Sequence, residues 1–375
     1  MKKIVLMTFL ALALTYPTSV LATSDYTFDT LRGANFFEGH YWYGNEADAE
    51  ISAKAAEAMH LNVIRINARL NSLAIDETDE TFVTNLVQVI QTFASHHEKV
   101  IIVLGGYVGY DVACGNYGSF VDVQTRATKV INALKNNPAI FAWEIMNEAI
   151  SGNSQNCDPA QITKAVNAMY TLVHTLAPAA PTTVSEAFYW WKLGAWKNIS
   201  TFASFHWYPF SEITSSPVTD AQITKLTSDL TDAIVHAKDQ VAPLPLVVGE
   251  FGVQSPAVVN AEDQAKVYQA MYDVFKKENV GVILWTASVH DASGDYSVIL
   301  PDGSLKPAGK IVQQAYTYLP IPGDFNGDKH INIIDFVLFM NYWWMNNLEK
   351  ADFNHDGKIN AIDYTIFMNM WNESR

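Results

Sequence analysis

Eight short apolar runs, each followed by a stretch with apolar residues three and four positions apart, constrain this chain more than any other feature. The runs occupy residues 31–37, 62–67, 100–104, 140–146, 182–185, 203–206, 246–249 and 282–285. Helical spacing is clearest over 47–59, 82–95, 160–176, 223–241, 261–278 and 307–318, the last opening on Pro307, which suits a first helical turn. Continuous apolar runs of this length read as strands buried on both faces. Alternating eightfold with helices, they predict a parallel (β/α)8 barrel. The fifth unit is the least regular, because residues 189–199 are aromatic and short for a helix.

A parallel barrel gathers its chemistry at the C-terminal ends of its strands. Two runs end there in acids: Ile140-Phe-Ala-Trp-Glu-Ile-Met-Asn147-Glu148 and Leu246-Val-Val-Gly-Glu250. Two carboxylates from different strands are the minimum equipment for cleaving a glycosidic bond. Strand alternation sets Glu144, Met146 and Glu148 on one face, with Glu144 inside the barrel and Glu148 above it. Glu144 therefore reads as a structural acid in need of a partner. Arg65, a cation in the apolar stretch Val63-Ile-Arg-Ile-Asn67, either pairs with Glu144 or holds a catalytic carboxylate ionised. Asn147 either terminates a strand or meets a sugar hydroxyl. His206 and Tyr208 end the sixth run, and Trp285, at the end of the eighth, offers an indole face to a pyranose ring. Trp42, Tyr107, Tyr110, Trp190, Trp191 and Trp207 fall near other strand ends; several are expected to line a cleft.

Lys2 and Lys3 followed by apolar residues 4–14 and Val20-Leu-Ala22 read as a signal peptide over 1–22, so the mature chain is expected to start at Thr23 and be exported. No other stretch is long and apolar enough to cross a bilayer. A net charge of -15 argues against nucleic acid and anionic membranes as partners. The two cysteines, Cys114 and Cys157, fall in loops after neighbouring strands and are expected to form a disulfide. A monomer is expected.

Arg65, Asn147-Glu148, His206-x-Tyr208, Gly249-Glu250-Phe251-Gly252 and Trp285, in this order on successive strands, resemble glycoside hydrolase family 5, the cellulase and mannanase group of retaining barrel hydrolases. The resemblance implies that Glu148 is the acid/base and Glu250 the nucleophile. It makes Arg65, Asn147, His206, Tyr208 and Trp285 their active-site supports. Ala139-Ile-Phe-Ala-Trp-Glu144 and Phe205-His-Trp-Tyr-Pro209 are similar to the mannanase branch, which implies β-1,4-mannan ahead of β-1,4-glucan, cut in endo fashion. Two other readings stand beside this one: a carbohydrate-binding barrel without catalysis, and an assembly component acting through its C-terminus. A metal-dependent barrel hydrolase fits poorly, since the first strand lacks a His-x-His and ends Asn35-Phe-Phe-Glu38.

After Pro320 the composition changes and a repeat begins. Asp324, Asn326, Asp328, Asn332 and Asp335 recur in register as Asp352, Asn354, Asp356, Asn360 and Asp363. These are positions 1, 3, 5, 9 and 12 of a calcium loop, and hard oxygen ligands at that spacing select Ca²⁺. Gly357 fills the sharp-turn position that Lys329 takes in the first loop, so the second site is expected to be tighter. Aspartate at position 12 resembles a type I dockerin over 322–373, which implies a cohesin-like protein as partner. The partner-facing positions 10 and 11 hold Ile333-Ile334 and Ala361-Ile362. The expected organisation is thus a signal peptide, a (β/α)8 hydrolase domain over 23–320, and a small all-α, EF-hand/dockerin-like domain over 321–375.

Overall fold

The computed structural model describes residues 28–36, 46–68, 70, 78–105, 120–151, 158–187, 190–290, 295–316, 323, 325, 331–345, 347–353 and 357–373. The expected signal peptide, both cysteines, Trp42, Tyr107, Tyr110 and the loop ligands Asp324, Asn326, Asp328, Asn354 and Asp356 lie outside these residues, as does the side chain of Trp190.

Strands β1 (Arg32–Phe36), β2 (Val63–Asn67), β3 (Lys99–Val103), β4 (Ile140–Glu144), β5 (Thr182–Thr183), β6 (Ser185–Ala187), β7 (Ala203–His206), β8 (Leu246–Glu250) and β9 (Gly281–Leu284) form one parallel sheet. The order is β5-β4-β3-β2-β1-β9-β8-β7-β6. The two ends of that order are consecutive in the chain, separated by Val184 alone. β5 pairs with β4 and β6 with β7, so one interrupted fifth strand closes a (β/α)8 barrel. Helices α1 (Glu46–Ala58), α2 (Asp79–Ser95), α3 (Phe120–Leu134), α4 (Pro159–Leu176), α5 (Asp220–Val241), α6 (Ala261–Glu278) and α7 (Pro307–Ala315) follow the strands, and a 3-10 segment, Trp190–Trp196, replaces the fifth helix.

Two helices start three residues before their apolar pattern does, because their caps set the boundary. Thr78 accepts the N–H of Thr81 ahead of α2, and Thr219 forms a capping box with Gln222 ahead of α5.

Alternation along the strands separates two cores. Ile64 and Ile66 face the helices; Val63 joins Leu31, Ile101, Phe141, Phe202, Val247 and Ile283 inside the barrel. Phe28 closes the floor, stacked on Phe202 with centroids 4.6 Å apart. Above this apolar plug the interior turns polar: Asn35, Arg65, Glu144, His206 and Glu250 are all buried.

The C-terminal repeat has its own core. Helices α8 (Ile333–Trp344), α9 (Leu348–Ala351) and α10 (Ala361–Glu373) enclose Ile331, Phe339, Ala351 and Phe367. The equivalent residues of the two copies, Phe339 and Phe367, stack with centroids 4.8 Å apart and planes 1° from parallel. The duplication thus packs against itself. Among the described residues no helix is long and apolar enough to cross a membrane.

Candidate active site

Arg65 is the hub of the barrel mouth. Its Nε and Nη2 donate to Glu144 at 2.7 and 2.6 Å, forming the ion pair expected from sequence. Nη1 donates to Glu250 Oε1 at 2.6 Å and to Asn35 Oδ1 at 2.7 Å, and Nη2 also reaches Asn147 Oδ1. Arg65 thus contacts Glu144 and Glu250 at once. Burial opposes its charge, but Glu144 and then Glu250 outweigh that and hold the guanidinium firmly protonated. Burial likewise opposes charge on Glu144, and Arg65 reverses the balance, leaving its carboxyl below the usual range.

Glu148 reaches the mouth by a different route from the one alternation predicts. β4 ends at Glu144, Met146 packs in the outer core, and Glu148 lies in the turn 147–150 with φ 47. A left-handed glutamate costs of order 1–3 kcal/mol and persists only when its surroundings over-determine it. Here they do. Its N–H donates to Ser185 Oγ at 2.9 Å, and that hydroxyl donates to Glu144 Oε1 at 2.7 Å. Asn147 N–H donates to the Gly105 carbonyl and Ala149 N–H to that of Ser185. The carboxylate of Glu186 then takes the N–H groups of Ile150 and Ser151 and the indole N–H of Trp196.

His206 stands between the two acids. Its Nδ1 is 2.8 Å from Glu148 Oε1 and 3.3 Å from Glu250 Oε2. A register shift between Phe205 and His206 sets it opposite Glu250, and a Cβ on Gly249 would run into both Ser204 and the imidazole. Nε2 is buried with no hydrogen-bond partner among the described residues. Protonating both nitrogens would leave the Nε2 N–H without an acceptor among the described residues, and burial pushes the imidazole down to about 4. The neutral tautomer that leaves no N–H unmatched carries its proton on Nδ1.

Ligand atoms of Glu148, His206 and Glu250 all lie within 4.8 Å of one another, and among the described residues this is the one group of that kind. The two carboxylates are both raised, first by burial, but not alike. Glu250 also accepts from Arg65 and, at 2.8 Å, from the Tyr208 hydroxyl, which restrain its rise. Glu148 feels Arg65 at longer range only, and Glu144 opposes its ionisation; it is pushed up to about 7. The two carboxyls thus sit in unlike environments across a gap, Glu148 holding its proton the more readily of the two. Trp285 follows β9 at the same end, half-buried, its N–H donating to the Phe251 carbonyl.

Three residues of this network escaped the sequence reading. Asn35 ties Arg65 to the Gly249 and Leu284 carbonyls; Ser185 links Glu144 to Glu148; Glu186 clamps the turn that follows Glu148. Asn35 did leave a signal, a polar amide in an apolar run, as Arg65 does. Ser185 and Glu186 sit in a strand too fragmentary to show which face they share.

In the C-terminal repeat, Asp335 and Asp363 are fully buried and make the same bonds. One oxygen of Asp335 accepts from Phe325 N–H and the other from Asn332 N–H; Asp363 accepts likewise from Phe353 and Asn360. Asp352, also buried, accepts from Gly357 N–H, where φ is +79. An all-oxygen set with buried carboxylates fits a hard divalent cation.

Comparison with known families matches residues 22–291 to Cellulase (glycosyl hydrolase family 5), more than half of the chain. It matches residues 322–372 to the Dockerin type I domain. No curated protein sequence matches the chain. Among solved structures, the endo-beta-1,4-mannanase from Thermotoga petrophila is similar with a TM-score of 0.58 and 17% identity, covering 76% of each chain. The family 5 mannosidase from Rhizomucor miehei has a TM-score of 0.58 at 13% identity, covering 76% of this chain and 92% of that one. An endoglucanase has a TM-score of 0.56 at 14% identity, covering 76% and 98%. At these identities the structural likeness speaks for the fold, and the family matches carry the assignment. This chain belongs to glycosyl hydrolase family 5, an O-glycosyl hydrolase built on a (β/α)8 barrel and joined to a type I dockerin domain.

Proposed function

We propose that the protein is an exported, retaining endo-β-1,4-glycanase, with β-mannan ahead of β-glucan as substrate. The observation that carries this reading is the separation of the two acids. Retaining enzymes hold their carboxyl groups about 5–5.5 Å apart, inverting ones about 6.5–9.5 Å. Glu148 and Glu250 each place an oxygen within 4.8 Å of the other, which sides with the retaining spacing and not with the wider inverting one.

In the first step a Glu250 oxygen attacks the anomeric carbon while Glu148 gives its proton to the departing glycosidic oxygen. The C–O bond breaks and a glycosyl ester forms on Glu250. In the second step Glu148, now ionised, takes a proton from water, whose oxygen displaces Glu250 from the same carbon. Two inversions return the original β configuration. Arg65 and Tyr208 hold Glu250 for attack and receive the charge it regains. His206, donating from Nδ1, steadies Glu148 when it is ionised. Asn147 and Trp285 bind the sugar, through a hydroxyl and a ring face. The mannanase and mannosidase named above support mannan, and the endoglucanase keeps glucan as the alternative.

The remaining assignments follow the same reading: signal peptide over 1–22, hydrolase domain over 23–320, and dockerin module over 321–375. Calcium in the module would be held by Asp324, Asn326, Asp328, Asn332 and Asp335, and by Asp352, Asn354, Asp356, Asn360 and Asp363. It would tie each loop to the helix that follows. The partner is a cohesin-like protein, covering apolar side chains that α8 and α10 leave in water: Ile333, Ile334 and Ile362 are more than half exposed. The test is reducing-sugar release from mannan, carboxymethylcellulose and xylan by the full chain and by Glu148→Gln and Glu250→Gln. The proposal expects release from mannan first and its loss in both variants. No release from any of the three, or unchanged release by the variants, overturns it.

A further inference from the structure

Beside the carboxylate pair lies a cavity of about 210 Å³ that the two-step chemistry does not use. Phe210, Tyr296, Ile213 and Val258 line it, and Thr214 and Gln254 supply its polar side chains. Tyr208 connects it to the reacting centre. The Tyr208 hydroxyl donates to Glu250 at 2.8 Å. Its ring stacks on Phe210 with centroids 5.3 Å apart and planes 5° from parallel, and meets Tyr296 edge-on at 5.7 Å.

Phe210 is 60% exposed while Ile213 and Tyr296 beside it are buried, so the cavity presents an open aromatic ring above a closed apolar wall. A single exposed ring needs no explanation on a convex surface; at the edge of a hollow it offers a ligand a flat apolar contact. No charged side chain is among its described lining residues. The volume lies below the roughly 300–1,000 Å³ typical of sites for drug-sized ligands, which leaves room for one ring rather than an oligosaccharide. A neutral pyranosyl ring has the matching chemistry: an apolar C–H face for the aromatic ring and hydroxyls for Thr214 and Gln254.

We propose that this cavity is a separate sugar subsite, holding one neutral pyranosyl unit of the glycan whose bond is cut between Glu148 and Glu250. The inference rests on the glycanase reading above. The unit comes from the main chain or from a branch on it, and the ring chemistry is the same in both cases.

Phe210→Ala removes the platform, and Val258→Trp fills the hollow from another residue of its lining while Phe210 itself is kept. The full chain and both variants are assayed on an aryl β-glycoside, on linear β-1,4-oligosaccharides of increasing length, and on branched oligosaccharides of the same backbone. The expected result is a fall in kcat/KM of about tenfold that appears only above a certain chain length, or only with the branch, relative to the aryl glycoside. The first pattern assigns the unit to the main chain and the second to a branch. An equal fall on every substrate in Phe210→Ala, with no effect of Val258→Trp, overturns the subsite and makes Phe210 a support for Tyr208. Unchanged kinetics in both variants also overturns it. Inactivity of the parent chain on all these substrates is a different failure, that of the glycanase reading.

Discussion

At the barrel mouth, Glu144 and Glu250 are buried against a guanidinium of the same chain, whereas in the C-terminal repeat Asp335 and Asp363 are buried against main-chain N–H groups. The first arrangement carries its own counter-charge and can be assembled by folding alone. The second gathers acids that a cation from outside would complete. The mouth also separates the behaviour of its acids by giving Glu250 two donors, Arg65 and Tyr208, where Glu148 has the imidazole. In the repeat, by contrast, Asp335 and Asp363 make the same pair of bonds. Asymmetry at the mouth suits an acid and a nucleophile; the matching of Asp335 and Asp363 suits a duplicated loop that keeps one plan in both copies.

The largest effect should come from breaking the asymmetric pair. Glu250→Gln is expected to lower kcat by about 10⁴-fold and Glu148→Gln by about 10²–10⁴-fold. The pH profile sharpens this. In the proposed roles Glu148 acts protonated, so activity should fall as pH rises through about 7, and Glu250 acts ionised, so the acid limb should begin above the ordinary carboxylate range. Glu148→Gln should abolish the alkaline limb of whatever activity remains, and a limb that persists assigns it to another group.

Next comes the internal cation. Arg65→Met leaves Glu144 buried without its partner and should destabilise the barrel by about 3–5 kcal/mol in thermal unfolding, with the C-terminal module unaffected. Chelation makes the reverse comparison. If calcium is held at about 100 times its Kd, EGTA should remove about 2.7 kcal/mol from the module and leave barrel hydrolysis intact. Equal sensitivity of both regions to EGTA would remove the contrast drawn here.

Smaller effects test the supports. Glu186→Gln loosens the turn after Glu148 and should lower kcat more than it raises KM, at a stability cost of about 1–3 kcal/mol. The smallest concerns Glu98, buried just before β3 with no hydrogen-bond partner for either oxygen among the described residues; burial pushes it up to about 9. Because the folded value is raised, the stability it contributes is present at low pH and lost as pH climbs toward 9. Glu98→Gln should therefore raise Tm at pH 8 and change it little at pH 4.

The barrel was legible because a buried parallel strand advertises itself as a continuous apolar run, and because an acid or cation interrupting one is conspicuous. Arg65, Glu148 and Glu250 were found in that way. What alternation could not give was the placement of Glu148, which depends on a left-handed turn anchored by Ser185 and Glu186. Those anchors lie on β6, three residues long and cut off from β5 by Val184; no periodicity survives in so short a piece. The repeat was legible for another reason: two copies in register identify equivalent positions whatever each contributes alone. The stacking of Phe339 on Phe367 is the physical form of that register.

Trapping the glycosyl-enzyme tests the central claim most directly. The full chain is incubated with a 2-fluoro β-glycosyl fluoride, and the adduct is mapped by mass spectrometry of its peptides. The account predicts one sugar per chain, attached to Glu250, and faster formation in the parent than in Arg65→Met. An active protein that forms no adduct and releases an inverted product, or one that carries the label on another residue, would contradict it.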